Sequence, residues 1–288
     1  MCKIQPNLLI QLDQYRLIEI NGIDAEKYLQ GQLTCDVSKL ADGEQTLTCH
    51  CDPKGKMSSL FRLYRKTATQ FFVIVRRELL PDALVQLKKY AVFSKVTFTE
   101  LDTTIFGTTS GKILAKFCEK VTACTLTGTP TRHLFWGNME LDTNHASEMW
   151  DLLDIQNGVP ILHKSNQFEL IPQAVNLQCL DQAISFTKGC YIGQETVARA
   201  KYRGANKRAM FTFVGELNGC ELPEIAGAIE RQIGEHWKST GLILSRVVQD
   251  NHLWLQVVLN KEIEPDATFR VGQIPLQLFK LPYSLDEH

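Results

Sequence analysis

The chain has 288 residues, of which 44% are hydrophobic and 22% charged, and its 31 basic and 32 acidic side chains leave a formal net charge of −1. This is the composition of a soluble globular protein with ample material for a buried core. It excludes a helical membrane span, because no apolar run approaches the ~18 residues a crossing helix needs. The near-neutral balance also excludes a protein that coats nucleic acid broadly.

The first residues lack the apolar stretch of a secretory signal. Nine cysteines, at 2, 35, 49, 51, 118, 124, 179, 190 and 220, are odd in number and irregular in spacing. Together these features predict reduced thiols in the cytoplasm, not a disulfide framework. Cys49-His50-Cys51 is the one tight cluster of metal-binding residue types. Structural zinc sites space their cysteines more widely and use two such pairs. Residues 49 and 51 of a strand share a face, so two core thiols are the better reading and no metal is expected.

In chain order, residues 15–20 alternate like a strand with one buried face. Asp24 is a candidate N-cap for a helix that places Ala25, Tyr28, Leu29 and Leu33 on one side. Strands are predicted at 45–51, 57–64 and 70–76. A helix at 81–91 has Pro81 in its first turn and Leu84, Leu87 and Ala91 inward, and a strand follows at 95–100. This order predicts helices packed on an antiparallel sheet. Residues 112–121 are read as a helix and 132–136 as a strand. Ser147 caps a helix that carries Trp150 in its first turn and stops at Asn157-Gly158. Residues 161–187 show no clear period and read as a long ordered connection. Strands at 209–214, 226–231, 240–248, 252–259, 267–271 and 274–280 then predict a small C-terminal barrel or sandwich.

The segment Lys188-Gly189-Cys190-Tyr191-Ile192-Gly193-Gln194-Glu195 carries the most chemistry. Six cations (Lys188, Arg199, Lys201, Arg203, Lys207, Arg208) face one acid, Glu195, between residues 188 and 208. A cysteine reacts as the thiolate, which nearby cations and helix N-termini favour. Glycine permits positive φ and close backbone approach, and Gly189 and Gly193 bracket this thiol closely. The alternative is a buried inert cysteine beside a solvated basic helix face.

The run from 188 to 208, KGCYIGQETVARAKYRGANKR, resembles the signature of the folate-binding YgfZ family. The likeness extends through GIDAEKYLQGQLT (22–34), CDPKGKM (51–57), KKYAVFSKV (88–96), FELIPQAVNLQ (168–178), EPDATFRV (264–271) and LPYSL (281–285). The family is itself similar to the tetrahydrofolate-dependent T-protein of glycine cleavage, an aminomethyltransferase. The resemblance implies an α+β fold with three lobes around a folate pocket. Lobes are expected at 1–102, at 103–205 with the cysteine motif, and at 206–288 as a β-barrel.

The implied role is a cytoplasmic accessory that supports assembly or repair of iron–sulfur enzymes, including one that methylthiolates tRNA. The implied cofactor is tetrahydrofolate or another folate. The implied partners are iron–sulfur enzymes, with neither membrane nor direct nucleic-acid contact expected. By position, Tyr15 and Trp150 are the implied folate-stacking aromatics, whereas from the residues alone core packing is the favoured reading of both. Cys190 is the implied reactive thiol. Lys188 and Arg199 would lower its pKa or pair with a folate carboxylate. Gln194 and Glu195 would hydrogen-bond ligand or loop.

One departure bears on mechanism. Where the aminomethyltransferases carry an aspartate pair, this chain has Ser58 and Ser59. A neutral hydroxyl neither stabilises a developing cation as a carboxylate does nor acts unaided as a base near neutral pH. A folate-dependent one-carbon transferase or demethylase using Cys190 is therefore the second reading. An interaction module with a vestigial folate pocket is the third. Direct RNA binding through 188–208 is the fourth, and it predicts steeply salt-dependent affinity.

Overall fold

The computed structural model describes residues 7–117 and 119–285. Cys2, Cys118 and the part of the predicted 112–121 helix at 118 lie outside them. The chain forms two compact units. One is the chain up to His50 together with Ser59–Trp150, and the other is Cys51–Ser58 together with the chain from Asp151 onward.

The first stretch contains β1 (Leu9–Gln11), β2 (Tyr15–Asn21), α1 (Ala25–Gln30), β3 (Gln45–Cys51), β4 (Met57–Thr67), β5 (Gln70–Arg76), α2 (Leu80–Lys89) and β6 (Thr97–Leu101). Five strands form a sheet in the order β3-β4-β5-β2-β6. The unbroken apolar run Phe71–Val75 makes β5 an inner strand, and every one of those residues is buried. Three sequence readings are corrected here. Asp24 occupies the N-cap position of α1 but makes no side-chain cap. Its carboxylate instead accepts from the Lys95 backbone N–H at 2.8 Å. Leu33 lies beyond α1 and bridges antiparallel to His50. In α2 the inward face is Leu80, Ala83 and Leu87. Leu84 is only half-buried and Ala91 lies past the helix end.

β7 (Thr104–Thr108), α3 (Gly111–Ala115), β8 (Thr122–Leu126), β9 (Arg132–Gly137) and α4 (Glu148–Gln156) follow. A second sheet has the order β1-β7-β9-β8. The N-terminal strand β1 thus pairs with a segment beyond residue 103, which local pattern does not reveal. Trp136 of β9 packs edge-on against Tyr64 of β4 and Phe72 of β5, with centroids 5.3 and 5.6 Å away. These aromatic contacts hold the two sheets together.

The remainder begins with the connection after α4. It contains only short 3₁₀ turns, Lys164–Asn166, Pro172–Val175 and Leu177–Cys179. α5 (Gln194–Tyr202) follows, then β10 (Arg208–Glu216), β11 (Ile229–Ile233), β12 (His236–Thr240), β13 (Leu242–Gln249), β14 (His252–Asn260), β15 (Phe269–Val271) and β16 (Ile274–Phe279). The order is β12-β11-β15-β16-β10-β14-β13. The sheet curls onto itself, because Ala226 N–H donates to the Ile243 carbonyl at 2.9 Å and Ile243 N–H to the Gly227 carbonyl at 2.8 Å. Leu253, Leu255, Val257 and Leu259 alternate into the interior with Phe213 and Phe269. β12 was missed because its side chains are exposed or half-exposed throughout, with no apolar alternation to read.

The irregular connection is ordered by amide side chains. Buried backbone groups need partners, and Asn and Gln supply them here. Asn176 donates to the Met210 carbonyl at 2.7 Å and accepts from Met210 N–H at 3.0 Å. Gln256 accepts from Ile161 N–H at 2.9 Å and donates to the Val159 carbonyl at 2.7 Å. The Tyr283 hydroxyl donates to the Gly158 carbonyl at 2.7 Å and accepts from Asn176 at 3.3 Å.

Candidate functional site

The CDPKGKM segment is a tight turn. The Asp52 carboxylate accepts from Lys54 and Lys56 N–H at 2.9 Å each, and Gly55 N–H donates to the Asp52 carbonyl at 2.9 Å. Gly55 has φ +77° and Gly193 has φ +82°, and the two pack together. A Cβ on Gly193 would meet the Asp52 carbonyl oxygen at 2.7 Å and Gly55 Cα at 2.9 Å. Met57 N–H donates to the Leu170 carbonyl at 2.9 Å, Phe168 N–H to the Met57 carbonyl at 2.8 Å, and Lys56 Nζ to the Glu169 carbonyl at 2.8 Å. Three separated segments, 51–57, 168–178 and 188–195, therefore meet in one place within the second unit.

Cys190 sits on this framework with its side chain exposed. Lys188 is 9% exposed, and its ammonium lies 4.8 Å from the centroid of the buried Tyr191 ring. The backbone of Lys188 is held by the Ser185 hydroxyl at 3.2 Å. Gly193 starts α5, which places Gln194 and Glu195 in the first turn. Arg199 pairs with Glu195 one turn away at 2.6 Å, and both are exposed. The expectation for Gly189 is corrected. It has no left-handed φ, and a Cβ there would meet nothing within 4 Å, so close approach is a property of Gly193 alone. Phe186 was not anticipated. Its ring lies under Lys201 at 4.9 Å and edge-on to exposed Tyr202 at 6.3 Å.

Tyr15 and Trp150 lie in the first unit and occupy contrasting settings. Tyr15 is half-buried, with the Arg76 guanidinium 5.7 Å from its ring. It lines an open polar cleft of about 460 Å³ with Asp13, Arg16, Arg77 and Glu100. Trp150 is 1% exposed. The Arg132 guanidinium lies 4.8 Å from its ring, and Gly107 leaves room for it, since a Cβ there would come within 2.4 Å of the indole. The elements carrying the two aromatics are tied together, because the Gln14 side chain and Trp150 N–H both donate to the Ser147 carbonyl, at 3.1 and 3.0 Å.

A buried polar row on β3 escaped the sequence reading. Thr46, Thr48 and His50 alternate on one face and are all buried. Thr34 Oγ1 lies 3.1 Å from Thr48 Oγ1, and Gln32 Oε1 lies 3.3 Å from His50 Nε2. Ser58 and Ser59 on β4 are fully buried, and the Ser59 hydroxyl has no hydrogen-bond partner among the described residues. The T-x-T-x-H pattern was visible in the sequence, but the neighbouring cysteines drew the reading to the opposite face. Cys49 and Cys51 are both buried thiols.

Comparison with known proteins identifies the domains and the fold. Residues 7–135 match the GCVT N-terminal domain, and residues 206–273 match the YgfZ beta-barrel domain. A Haemophilus influenzae protein is 50% identical over 283 residues, covering 96% of this chain and 99% of its own. The tRNA-modifying protein YgfZ of Photorhabdus laumondii is 39% identical over 313 residues, covering 98% of this chain and 94% of its own. Its counterpart from Escherichia coli O157:H7 is 40% identical over 316 residues, covering 98% and 95%. Among solved structures, the glycine cleavage system aminomethyltransferase T from Bartonella henselae superposes with a TM-score of 0.69. It covers 96% of this chain and 86% of its own at 12% identity, a likeness of fold alone. The fold is thus α+β of the aminomethyltransferase type, with a C-terminal β-barrel. No helix among the described residues is long and apolar enough to cross a membrane.

Proposed function

Because the chain belongs to the YgfZ family, we propose that it is a folate-binding accessory protein that supports iron–sulfur enzymes, among them one that methylthiolates tRNA. The observation that carries this reading is the meeting of 51–57 with 168–170 through hydrogen bonds and with 188–195 through Gly193, with Cys190 exposed in the last segment. A segment held so tightly from three sides, yet presenting a thiol to solvent, is built for a reaction or a ligand and not for packing. The GCVT match over 7–135 supports folate as the ligand class. The residues of that unit suit such a molecule. Tyr15 offers a ring beside an open polar cleft, and polar walls suit a ligand that hydrogen-bonds.

In this reading Tyr15 stacks on the ligand, and Trp150 acts from the core by fixing the α4 start. Cys190 is the reactive thiol, with Lys188 and Tyr191 holding its loop. Gln194, Glu195 and Arg199 are polar contacts for whatever approaches that thiol. A bound folate would supply one-carbon chemistry. The buried, neutral Ser58 and Ser59 weigh against aminomethyl transfer. The division into lobes at residues 102 and 205, and a cytoplasmic location, belong to the same proposal.

A tetrahydrofolate titration followed by tryptophan fluorescence tests the ligand on wild type and Tyr15→Ala. Saturable binding that weakens in the variant supports the reading, and no binding by the wild type removes folate from it. The thiol is tested separately in cells. Cys190→Ser that fully sustains 2-methylthio modification of tRNA would exclude a reactive role for Cys190.

A further inference from the structure

Eleven large hydrophobic side chains are exposed among the described residues, and five of them belong to one corner of the first unit: Ile23, Val85, Tyr90, Val92 and Phe93. Phe93 is 100% exposed, Val92 78% and Ile23 71%. The backbone around them is ordered. Ser94 N–H donates to the Ala91 carbonyl at 2.9 Å, and Ala91 N–H to the Lys88 carbonyl at 3.1 Å. Gly22 packs so close to Lys95 that a Cβ would lie 1.9 Å from its carbonyl oxygen, and Asp24 accepts from Lys95 N–H. Ile23, between these two anchors, emerges beside the 91–96 turn. Val85 shares its face of α2 with Lys88 and Lys89 by helical spacing.

Leaving such side chains in water has a cost that folding does not require, since scattered exposed apolar residues are ordinary but a contiguous patch marks an interaction site. The charge pattern identifies what covers it. Lys88, Lys89 and Lys95 are exposed among the apolar residues, no acid occurs from 83 to 99, and the carboxylate beside Ile23, that of Asp24, is engaged by the Lys95 backbone N–H. A second copy of the chain would set these lysines against their own kind. We propose that the Ile23–Phe93 corner docks a partner protein, which offers an apolar pocket for Phe93 and an acidic rim for the three lysines. An aromatic anchor inside a charged collar is the usual anatomy of such contacts. A lipid surface is disfavoured, because Val85 lies on α2, Tyr90 at its C-cap and Ile23 in the 22–24 turn, where a broad facing surface reaches them better than insertion of one tip.

The test places p-benzoyl-L-phenylalanine at position 93 of the full chain and irradiates the cells that make it. The expected product is a covalent adduct with one other protein, whose crosslinked peptide maps to an apolar pocket edged by Asp or Glu. Its yield is expected to fall at least about tenfold in the combined Lys88→Glu, Lys89→Glu, Lys95→Glu variant, since like charges at a rim oppose association. All four positions are exposed, and thermal melts of the variants should match wild type. An adduct of two copies of this chain, an adduct with lipid, no adduct, or a yield indifferent to the charge reversals would each overturn the proposal. None of these outcomes depends on folate, so the proposed function stands or falls separately.

Discussion

Gly55 and Gly193 meet backbone to backbone, each in a left-handed conformation and neither with room for a Cβ. On Gly55 a Cβ would lie 2.5 Å from the Thr196 Cβ. Strain and steric clash therefore act together at both positions. Gly193→Ala and Gly55→Ala are each expected to destabilise by about 2 kcal/mol or more, judged from positive-φ substitutions with a clash added. Gly189→Ala, with open space around it, should stay within about 0.5 kcal/mol of wild type. Urea denaturation of the three variants checks this. Equal losses at 189 and 193 would mean that the interlock is not what the motif requires glycine for.

Trp150 fills a site made for it by Gly107 and Arg132. Trp150→Ala is expected to cost about 3–5 kcal/mol, the range for large aromatic truncations in a core. A ligand titration on that variant would confuse lost binding with lost folding. Tyr15→Ala, at a half-buried ring, should melt close to wild type, and so it is the cleaner probe of the cleft. A Trp150→Ala protein as stable as wild type would refute the packing described for it.

The cysteines should separate by accessibility. Burial pushes the Cys124 thiol up to about 12 and the Cys179 thiol up to about 11. Cys190 is exposed, whereas Cys35, Cys49 and Cys51 are buried. Iodoacetamide at mildly alkaline pH on the native protein should therefore label Cys190 first, with Cys35, Cys49, Cys51 and Cys124 protected until denaturant is added. Peptide mass mapping reads the order. Early labelling of Cys51 would show that the Gly55–Gly193 corner opens readily.

Alkali should unfold the chain through groups buried in their neutral form. Burial raises Cys124 and Tyr28 to about 12 and Cys179 to about 11, and it raises Tyr283 as well. A folded-state pKa above the unfolded value means that the unfolded chain releases its proton first. The stabilisation is complete below the ordinary thiol value of 9.0 and is lost as pH rises through 11 to 12. The urea midpoint should hold from neutrality to about pH 9 and then fall, less steeply in Cys179→Ala. A midpoint that is flat to about pH 11 would contradict burial of these groups.

Much of the fold was legible because it is local. The apolar run at 71–75 marked an inner strand, and the alternation at 253–259 marked a barrel wall. Asp24 stands at the N-cap position as read, but its carboxylate serves Lys95, far away in sequence, and an N-cap pattern carries no information about such a competitor. β12 lacks an apolar face and so left no period to find. The site was legible only in part. The thiol, the glycines and the cations stood out in one segment, but its packing on 51–57 through Gly193, and the backbone hydrogen bonds that join 51–57 to 168–170, are long-range contacts that no window of sequence contains. The Phe93 patch had no reading in sequence, because only the fold shows that the 91–94 turn leaves Val92 and Phe93 exposed.

The Tyr283 hydroxyl that seals the Gly158 carbonyl also has a temporal meaning. During synthesis the connection 158–180 leaves the ribosome before the barrel strands that supply Gln256 and Met210, and Tyr283 follows all of them. Until residue 283 is available, the Gly158 turn keeps an unmet carbonyl and Asn176 lacks one of its partners. A chain that stops short of residue 283 therefore holds this connection to the barrel through the Gln256 and Met210 bonds, without those of Tyr283.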